Sequence, residues 1–91
     1  SRAEAEGVRD HYVAVLAEIA RRGLPTQPSV KLTHLGLDID RELCVASVQA
    51  LAERAAATGS MLWIDIEESH YVDATLDVYR RVRATQPKVG L

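Results

Sequence analysis

Two short stretches decide the fold of this chain: Ser29-Val30-Lys31-Leu32-Thr33 and Met61-Leu62-Trp63-Ile64-Asp65-Ile66-Glu67-Glu68. In each stretch aliphatic residues alternate with others, which is the pattern of a β-strand with one buried face. Lys31 and Asp65 then lie on the opposite face, where a lysine and an aspartate on neighbouring strands could meet. The alternation places the following aliphatic side chains on the buried face: Val30, Leu32, Leu62, Ile64 and Ile66.

Length and composition indicate one small globular unit. The 91 residues are 47% apolar, as in an ordinary globular chain, so disordered, collagen-like and coiled-coil classes fit poorly. The formal net charge is -2 and the arginines are spread along predicted helix surfaces, so the chain lacks the electrostatic footprint of a nucleic-acid-binding protein. We therefore expect no nucleic-acid partner.

The single cysteine, Cys44, allows no internal disulfide, and a reducing cytoplasm is the default location. The apolar runs are much shorter than the roughly 20 residues of a membrane span, and the charged first residues lack the apolar segment of a signal peptide. These features predict a soluble, unprocessed, cytoplasmic chain.

Three helices and a third strand are predicted around the two stretches. Apolar residues at three- and four-residue steps, together with glycine, proline and N-cap signals, set their bounds. The predicted elements are a helix over Arg2–Arg22 ended by Gly23, a first strand over 29–35, a helix after the N-cap Asp40 ended by Gly59, a helix after Ser69-His70-Tyr71 ended by Pro87, and a strand start at Val89-Gly90-Leu91. We expect the third helix to turn Val72, Leu76, Tyr79 and Val82 to one side.

Strands that alternate with helices predict right-handed crossovers and a parallel sheet. Two or three such strands would leave open edges and one bare face, so the pattern indicates part of a larger sheet, either doubly wound or a (β/α) barrel. Central strands of a doubly wound sheet are apolar on both faces, whereas Lys31 and Asp65 suit the interior mouth of a barrel. We favour the barrel.

Asp65 lies near the carboxyl end of its predicted strand, where barrel enzymes place their catalytic groups, and Glu67 and Glu68 follow it. The alternative for Lys31 and Asp65 is an internal ion pair that only fills the barrel. Burying both charges costs desolvation energy that an apolar pair would avoid, which favours a functional use.

A metal site is a second candidate, since carboxylate and imidazole ligands suit a divalent ion. Two features argue against it. Strand alternation sends neighbouring residues to opposite faces, and a lysine in the same cavity would repel a cation. Its ligands would be Asp65, Glu67, Glu68 and His70.

The remaining candidates have simpler explanations. His11 is expected on a helix surface and His34 in a loop or at the strand end, His34 being the better functional candidate of the two. Cys44 is expected to be an inert core thiol. Trp63 would line the cavity or pack beneath a ligand, with simple packing as the equal alternative. Arg80, Arg81 and Arg83 form a solvated helix end, and no glycine-rich phosphate loop is present.

The segment Ser29-Val30-Lys31-Leu32-Thr33-His34-Leu35-Gly36, followed by Asp65-Ile66-Glu67-Glu68-Ser69 and Asp73-Ala74-Thr75-Leu76, resembles the N-terminal part of bacterial flavin-dependent proline dehydrogenases. The resemblance extends over nearly the whole chain from about Tyr12. Its most specific parts are the Val-Lys-Leu-Thr strand and the Asp-x-Glu strand end, with Ile66 standing where methionine is common.

The resemblance implies a distorted (β/α)8 barrel that holds FAD and transfers a hydride from L-proline to the flavin, giving pyrroline-5-carboxylate, with electrons passed to a quinone. It implies Lys31 as the substrate-binding lysine that pairs with the proline carboxylate, and Asp65 as the catalytic strand aspartate of the same site. It leaves open a peripheral association with the inner membrane.

A barrel takes about 250 residues, so residues 1–91 would be an incomplete N-terminal portion, with the paired arginines and most flavin contacts beyond Leu91. Alone, this portion is expected neither to hold FAD nor to oxidise proline. The alternative is a noncatalytic fragment or small interaction module that self-associates through its sheet edges.

Overall fold

Three parallel strands form one sheet in sequence order: β1 (Ser29–Val30), β2 (Leu62–Ile64) and β3 (Val89–Gly90). The computed structural model describes residues 1–91. Its helices are α1 (Arg2–Arg22), α2 (Arg41–Ala57) and α3 (Val72–Arg83), with short 3₁₀ helices at Leu32–Leu35 and Ser69–Tyr71. The predicted α/β class with parallel strands is confirmed.

Helix α1 has the predicted bounds because its ends carry strong local signals. Ser1 and Glu4 form a capping box at its start. Gly23 ends the helix at φ 63°, and its N–H donates to the carbonyls of Ala20 and Ile19. A residue with a Cβ pays a steric cost in this left-handed conformation, which explains glycine here.

Helix α2 begins at its predicted cap. The Asp40 carboxylate accepts a hydrogen bond from the Leu43 N–H at 3.1 Å. The helix ends at Ala57, two residues before Gly59, which takes φ 73° in the turn. Its buried stripe is the predicted one with Ala52 in addition: Leu43, Cys44, Ser47, Val48, Leu51 and Ala55.

Both strands are shorter than predicted. β1 ends at Val30, and Leu32–Leu35 is a 3₁₀ helix instead of the end of a strand to Leu35. Residues three apart lie on the same side of a 3₁₀ helix, so Leu32 and Leu35 are both buried by this turn. β2 ends at Ile64, and the expectation that Ile66 is buried is wrong, since it is 56% exposed.

Helix α3 buries a different stripe from the predicted one. Thr75, Val78 and Val82 are buried, whereas Val72, Leu76 and Tyr79 are half-buried. The period was correct, but the polar Thr75 was not counted as a core residue. The helix also ends at Arg83, before Pro87 is reached.

One arginine of the predicted solvated helix end is engaged in an ion pair. The Arg81 guanidinium forms a bidentate ion pair with the Glu42 carboxylate on α2, donating two hydrogen bonds of 2.6 and 2.8 Å. Its Nη1 also lies 3.7 Å from the Asp77 carboxylate. Arg80 and Arg83 are exposed as expected. Arg81 therefore links α3 to α2.

The core lies between one face of the sheet and the helices. Val30, Leu62, Ile64 and Val89 point to it from the strands and are at most 2% exposed. The opposite face of the sheet has no covering layer, and Trp63 is 36% exposed there.

The strands lie side by side in the order β1, β2, β3, so each helix leads to the next strand on the same side. A barrel has this sequential order, whereas the order reverses in a doubly wound sheet. No helix of the chain has the length and apolar character needed to traverse a bilayer.

Gly90 is required by the ring of Trp63. A Cβ at position 90 would lie 2.5 Å from Cζ3 of Trp63 and 2.7 Å from Cε3. We expect Gly90→Ala to displace the indole and to lower the free energy of unfolding by about 1–3 kcal/mol, the usual cost of overpacking. Trp63 is the single tryptophan, so its fluorescence maximum and a urea titration report both effects.

Gly7 provides the matched control. It lies within α1, and a Cβ there would meet no atom within 4 Å. Gly7→Ala should stabilise the chain by about 0.5–1 kcal/mol and leave the fluorescence maximum unchanged. An unchanged fluorescence maximum and an undiminished stability in Gly90→Ala would contradict the close packing of Trp63 on Gly90.

Candidate functional site

Lys31 and Asp65 lie opposite each other where β1 and β2 end. The strands pair Ser29 with Trp63 and Val30 with Ile64, so one further step in this register brings Lys31 opposite Asp65. The Asp65 N–H donates to the Val30 carbonyl at 2.9 Å and continues the ladder to this point. The structure therefore brings together the two predicted site residues at the carboxyl edge of the sheet.

Lys31 and Asp65 do not form the internal ion pair that was the alternative explanation for them. Neither Lys31 nor Asp65 takes part in any of the chain's ion pairs, which extend to 4.0 Å. Lys31 is exposed and Asp65 is half-buried. The ammonium of Lys31 is thus available to an anion that approaches the open face of the sheet.

A second contact between the strand ends was missed by the sequence reasoning. The Glu67 carboxylate accepts hydrogen bonds from the Thr33 hydroxyl at 2.7 Å and from the Thr33 N–H at 3.2 Å. Thr33 and Glu67 each lie two residues beyond Lys31 and Asp65, so the same register carried two steps further would have paired them. Glu67 is consequently engaged with Thr33 within the protein.

Tyr71 forms a third link at this edge. Its hydroxyl donates to Asp38 Oδ2 at 2.9 Å and so joins the loop after the first 3₁₀ helix to the second 3₁₀ helix. This hydrogen bond, with partial desolvation and the negative charge of Asp38, raises the pKa of Tyr71. No short-range sequence signal marks a contact between residues 33 positions apart.

The four proposed metal ligands do not form a coordinating group. No three histidine, cysteine, aspartate or glutamate side chains of the chain lie together in a way that could hold a metal ion. Glu68 and His70 approach to 3.7 Å, but both side chains are largely exposed. Glu67 is turned to Thr33 instead.

The remaining candidates occupy ordinary positions. His11 is exposed on α1, as expected, whereas His34 is exposed within the first 3₁₀ helix instead of a loop or strand end. Trp63 packs over Gly90 on the open face and donates from Nε1 to Gln27 Oε1 at 2.8 Å. Strand alternation places Trp63 on the same face as Asp65, two residues before it.

Cys44 is fully buried, and its Sγ lies 3.7 Å from the Leu32 carbonyl. Burial, with a smaller effect of the Glu67 charge, raises the pKa of the Cys44 thiol to about 12. At pH 8 the folded chain should react with a disulfide reagent such as DTNB more than about 100-fold slower than the urea-unfolded chain. Comparable rates in the two states would contradict an inert thiol.

The same shift predicts how stability depends on pH. The folded pKa of Cys44 exceeds the unfolded one, so its contribution is complete below about pH 9 and is lost as the pH rises towards 12. Cys44→Ala should weaken this alkaline decline in the free energy of unfolding, which urea titrations from pH 7 to 11 measure.

The Lys31–Asp65 edge is open to solvent. The three clefts of the chain, of about 170–230 Å³, are formed mainly by α1 with α2 or with adjoining loops, and neither Lys31 nor Asp65 lines any of them. A small ligand on Lys31 would therefore be enclosed only by further walls built over the open face.

Fold and site together define a parallel α/β unit with charged side chains at the carboxyl ends of its strands, which is where α/β enzymes bind their substrates. Comparison with known proteins shows a similarity to one group of enzymes. The chain is 30% identical over 90 residues to proline dehydrogenase 1 of Bacillus subtilis strain 168, and equally to its counterpart in B. subtilis subsp. natto. It is 32% identical over 74 residues to proline dehydrogenase 2 of strain 168.

These alignments cover most of the chain but a small part of each relative. They include 99% and 81% of this chain, and 30% and 24% of the relatives' lengths. No family model matches the chain. The similarity thus concerns one segment of proteins about three times as long.

Proposed function

We propose that this chain is the N-terminal part of the (β/α)8 barrel of a flavin-dependent proline dehydrogenase, which oxidises L-proline to pyrroline-5-carboxylate with hydride transfer to FAD and passes electrons to a quinone. The observation that carries the proposal is the register that brings Lys31 opposite Asp65 at the carboxyl edge of a sequentially ordered parallel sheet. The similarity to proline dehydrogenases over 90 residues supports it.

In this proposal Lys31 binds the carboxylate of proline. Its ammonium is exposed and unpaired within the chain, so a carboxylate that reaches the open face can form a charge-assisted hydrogen bond with it. Asp65 would support the same site from the neighbouring strand, although it forms no ion pair with Lys31 in this chain. Lys31 would thereby hold the carboxylate of the substrate at the edge that the two residues share.

The residues of this chain do not fit the pyrophosphate of FAD. A pyrophosphate is usually held by free backbone N–H groups at a helix N-terminus or in a glycine-rich turn. The start of α2 is already capped by the Asp40 carboxylate, and the segment before α3 carries the acidic residues Glu67 and Glu68. FAD would therefore be held by residues of the proposed enzyme outside these 91.

A noncatalytic module that self-associates is the second candidate. It is favoured by the uncovered sheet face, where Trp63 is exposed, and by the unpaired outer edges of β1 and β3. Sedimentation of the 91-residue chain at several concentrations tests it. A monomer at every concentration would eliminate this candidate.

The proposed enzyme is tested with the intact protein that contains this chain. We expect the purified protein to be yellow from bound flavin and to reduce an artificial electron-accepting dye when L-proline is added. A folded, flavin-loaded protein that leaves the dye unreduced with proline would refute the proposal. D-Proline is the control, because dye reduction with D-proline measures any activity that does not come from a stereospecific site for L-proline.

A further inference from the structure

Lys31 lies between two links that join the ends of β1 and β2. On one side the Asp65 N–H donates to the Val30 carbonyl at 2.9 Å. On the other side the Glu67 carboxylate accepts both the hydroxyl and the N–H of Thr33. The backbone that carries Lys31 is thus held to the second strand immediately before and two residues after the lysine.

Glu67 caps the start of the first 3₁₀ helix. The first N–H groups of a helix have no acceptor within the helix, and Lys31, at the N-cap position, provides no side-chain cap. Glu67 supplies the missing acceptor from the neighbouring strand end and also receives the Thr33 hydroxyl. The chain therefore turns into the helix directly after Lys31, at a point that Glu67 fixes.

The surroundings make this contact strong. Thr33 and Glu67 are both half-buried, so water competes less for the two hydrogen bonds than it would at an exposed site. The acceptor is a carboxylate, and hydrogen bonds to an ionised group are stronger than neutral ones. Two donors from one residue also restrict the direction of approach.

We propose that Glu67 is a positioning residue for the Lys31–Asp65 site: by holding Thr33 it keeps Lys31 opposite Asp65, ready to receive a substrate carboxylate. This inference rests on the proposed function and adds a residue to its site. Glu67 would act through Lys31 and would not itself touch the substrate.

Neighbouring groups do not share this position. The Glu68 side chain is 81% exposed and approaches only His70. The hydrogen bond between Tyr71 and Asp38 joins the second 3₁₀ helix to the loop after the first one and does not flank Lys31. Glu68→Gln is therefore a matched control for Glu67→Gln, since it makes the same chemical change one residue away.

Steady-state kinetics of the intact protein with L-proline test the inference. We expect Glu67→Gln to raise KM about 10-fold with kcat within about twofold, because a displaced Lys31 would bind the substrate carboxylate more weakly without moving the reacting atoms. Glu68→Gln should leave KM unchanged. In a Lys31→Ala background, Glu67→Gln should add no further increase, because the group that it positions is already absent.

Thr33 provides an independent route if Glu67→Gln does not fold. Thr33→Val removes the hydroxyl donor and keeps the side-chain shape, and it should raise KM in the same direction, whereas Thr33→Ser keeps the donor and should restore KM. Hydrogen exchange of the Thr33 N–H should be faster in Glu67→Gln than in the parent. This last measurement does not depend on activity.

The outcomes separate the inference from the proposed function. A parent protein that holds flavin and does not oxidise proline refutes both. If Lys31→Ala raises KM while Glu67→Gln and Thr33→Val leave it unchanged, the inference alone is overturned. An equal increase from Glu67→Gln with and without Lys31 would show that Glu67 acts by a route other than positioning the lysine, and would also overturn it.

Discussion

Lys31→Ala in the intact protein should raise the KM for L-proline by roughly 10- to 150-fold, because it removes a charge-assisted hydrogen bond worth about 1.5–3 kcal/mol. The Lys31 ammonium has no partner within the chain and lies at the open edge of the sheet, so it is free to bind a carboxylate. Steady-state dye reduction over a range of proline concentrations measures it. The bound flavin should remain, because its pyrophosphate would be held outside this segment.

Lys88 offers the matched control. It is the only other lysine of the chain, is exposed, and immediately precedes β3, at the opposite end of the sheet from the Lys31–Asp65 edge. Lys88→Ala removes the same charge from the protein and should leave KM unchanged. Equal KM values for Lys31→Ala and the parent would remove Lys31 from the substrate site.

The largest expected effect on stability is that of Leu51→Ala. Leu51 lies in the middle of α2, is fully buried, and belongs to the cluster that joins the helices to the strands. Truncating a buried leucine removes apolar contacts and leaves a cavity, which typically costs about 2–5 kcal/mol. A chain of this size has a small margin of stability, so the variant should be largely unfolded.

Leu24→Ala is the control for this substitution. Leu24 follows α1 and is 45% exposed, so the same truncation leaves no enclosed cavity there. We expect a change within about 0.5 kcal/mol for this surface position. Urea titrations followed by circular dichroism compare the two variants, and a loss of stability in Leu51→Ala no greater than in Leu24→Ala would contradict the assigned core.

The helices α1 and α2 could be predicted closely because their signals are local. Asp40 and Gly23 act on backbone groups within a few residues, so their effects do not depend on the rest of the fold. The end of β1 could not be predicted in this way. The turn after Lys31 forms because Leu32 and Leu35 find a shared core and Glu67 reaches Thr33 from the neighbouring strand end, and both are tertiary effects.

Only the part of the candidate site that depends on local pattern could be predicted. Alternation along the strands was enough to assign Lys31 and Asp65 to one face, and the observed register, extended by one residue beyond Val30 and Ile64, places them opposite each other. The roles of Thr33 and Glu67 depend on how far that register continues beyond the strands. The contact between Tyr71 and Asp38 depends on how a 3₁₀ helix and a loop far apart in the sequence are placed, which no periodic pattern describes.

A chimera tests whether this chain can provide the first part of a proline-oxidising barrel. The 90 aligned residues of B. subtilis proline dehydrogenase 1 are replaced by the corresponding residues of this chain, and proline-dependent dye reduction is measured. We expect a soluble, yellow protein that reduces the dye with L-proline and that Lys31→Ala weakens through KM. A soluble, flavin-loaded chimera without proline-dependent reduction would contradict the account.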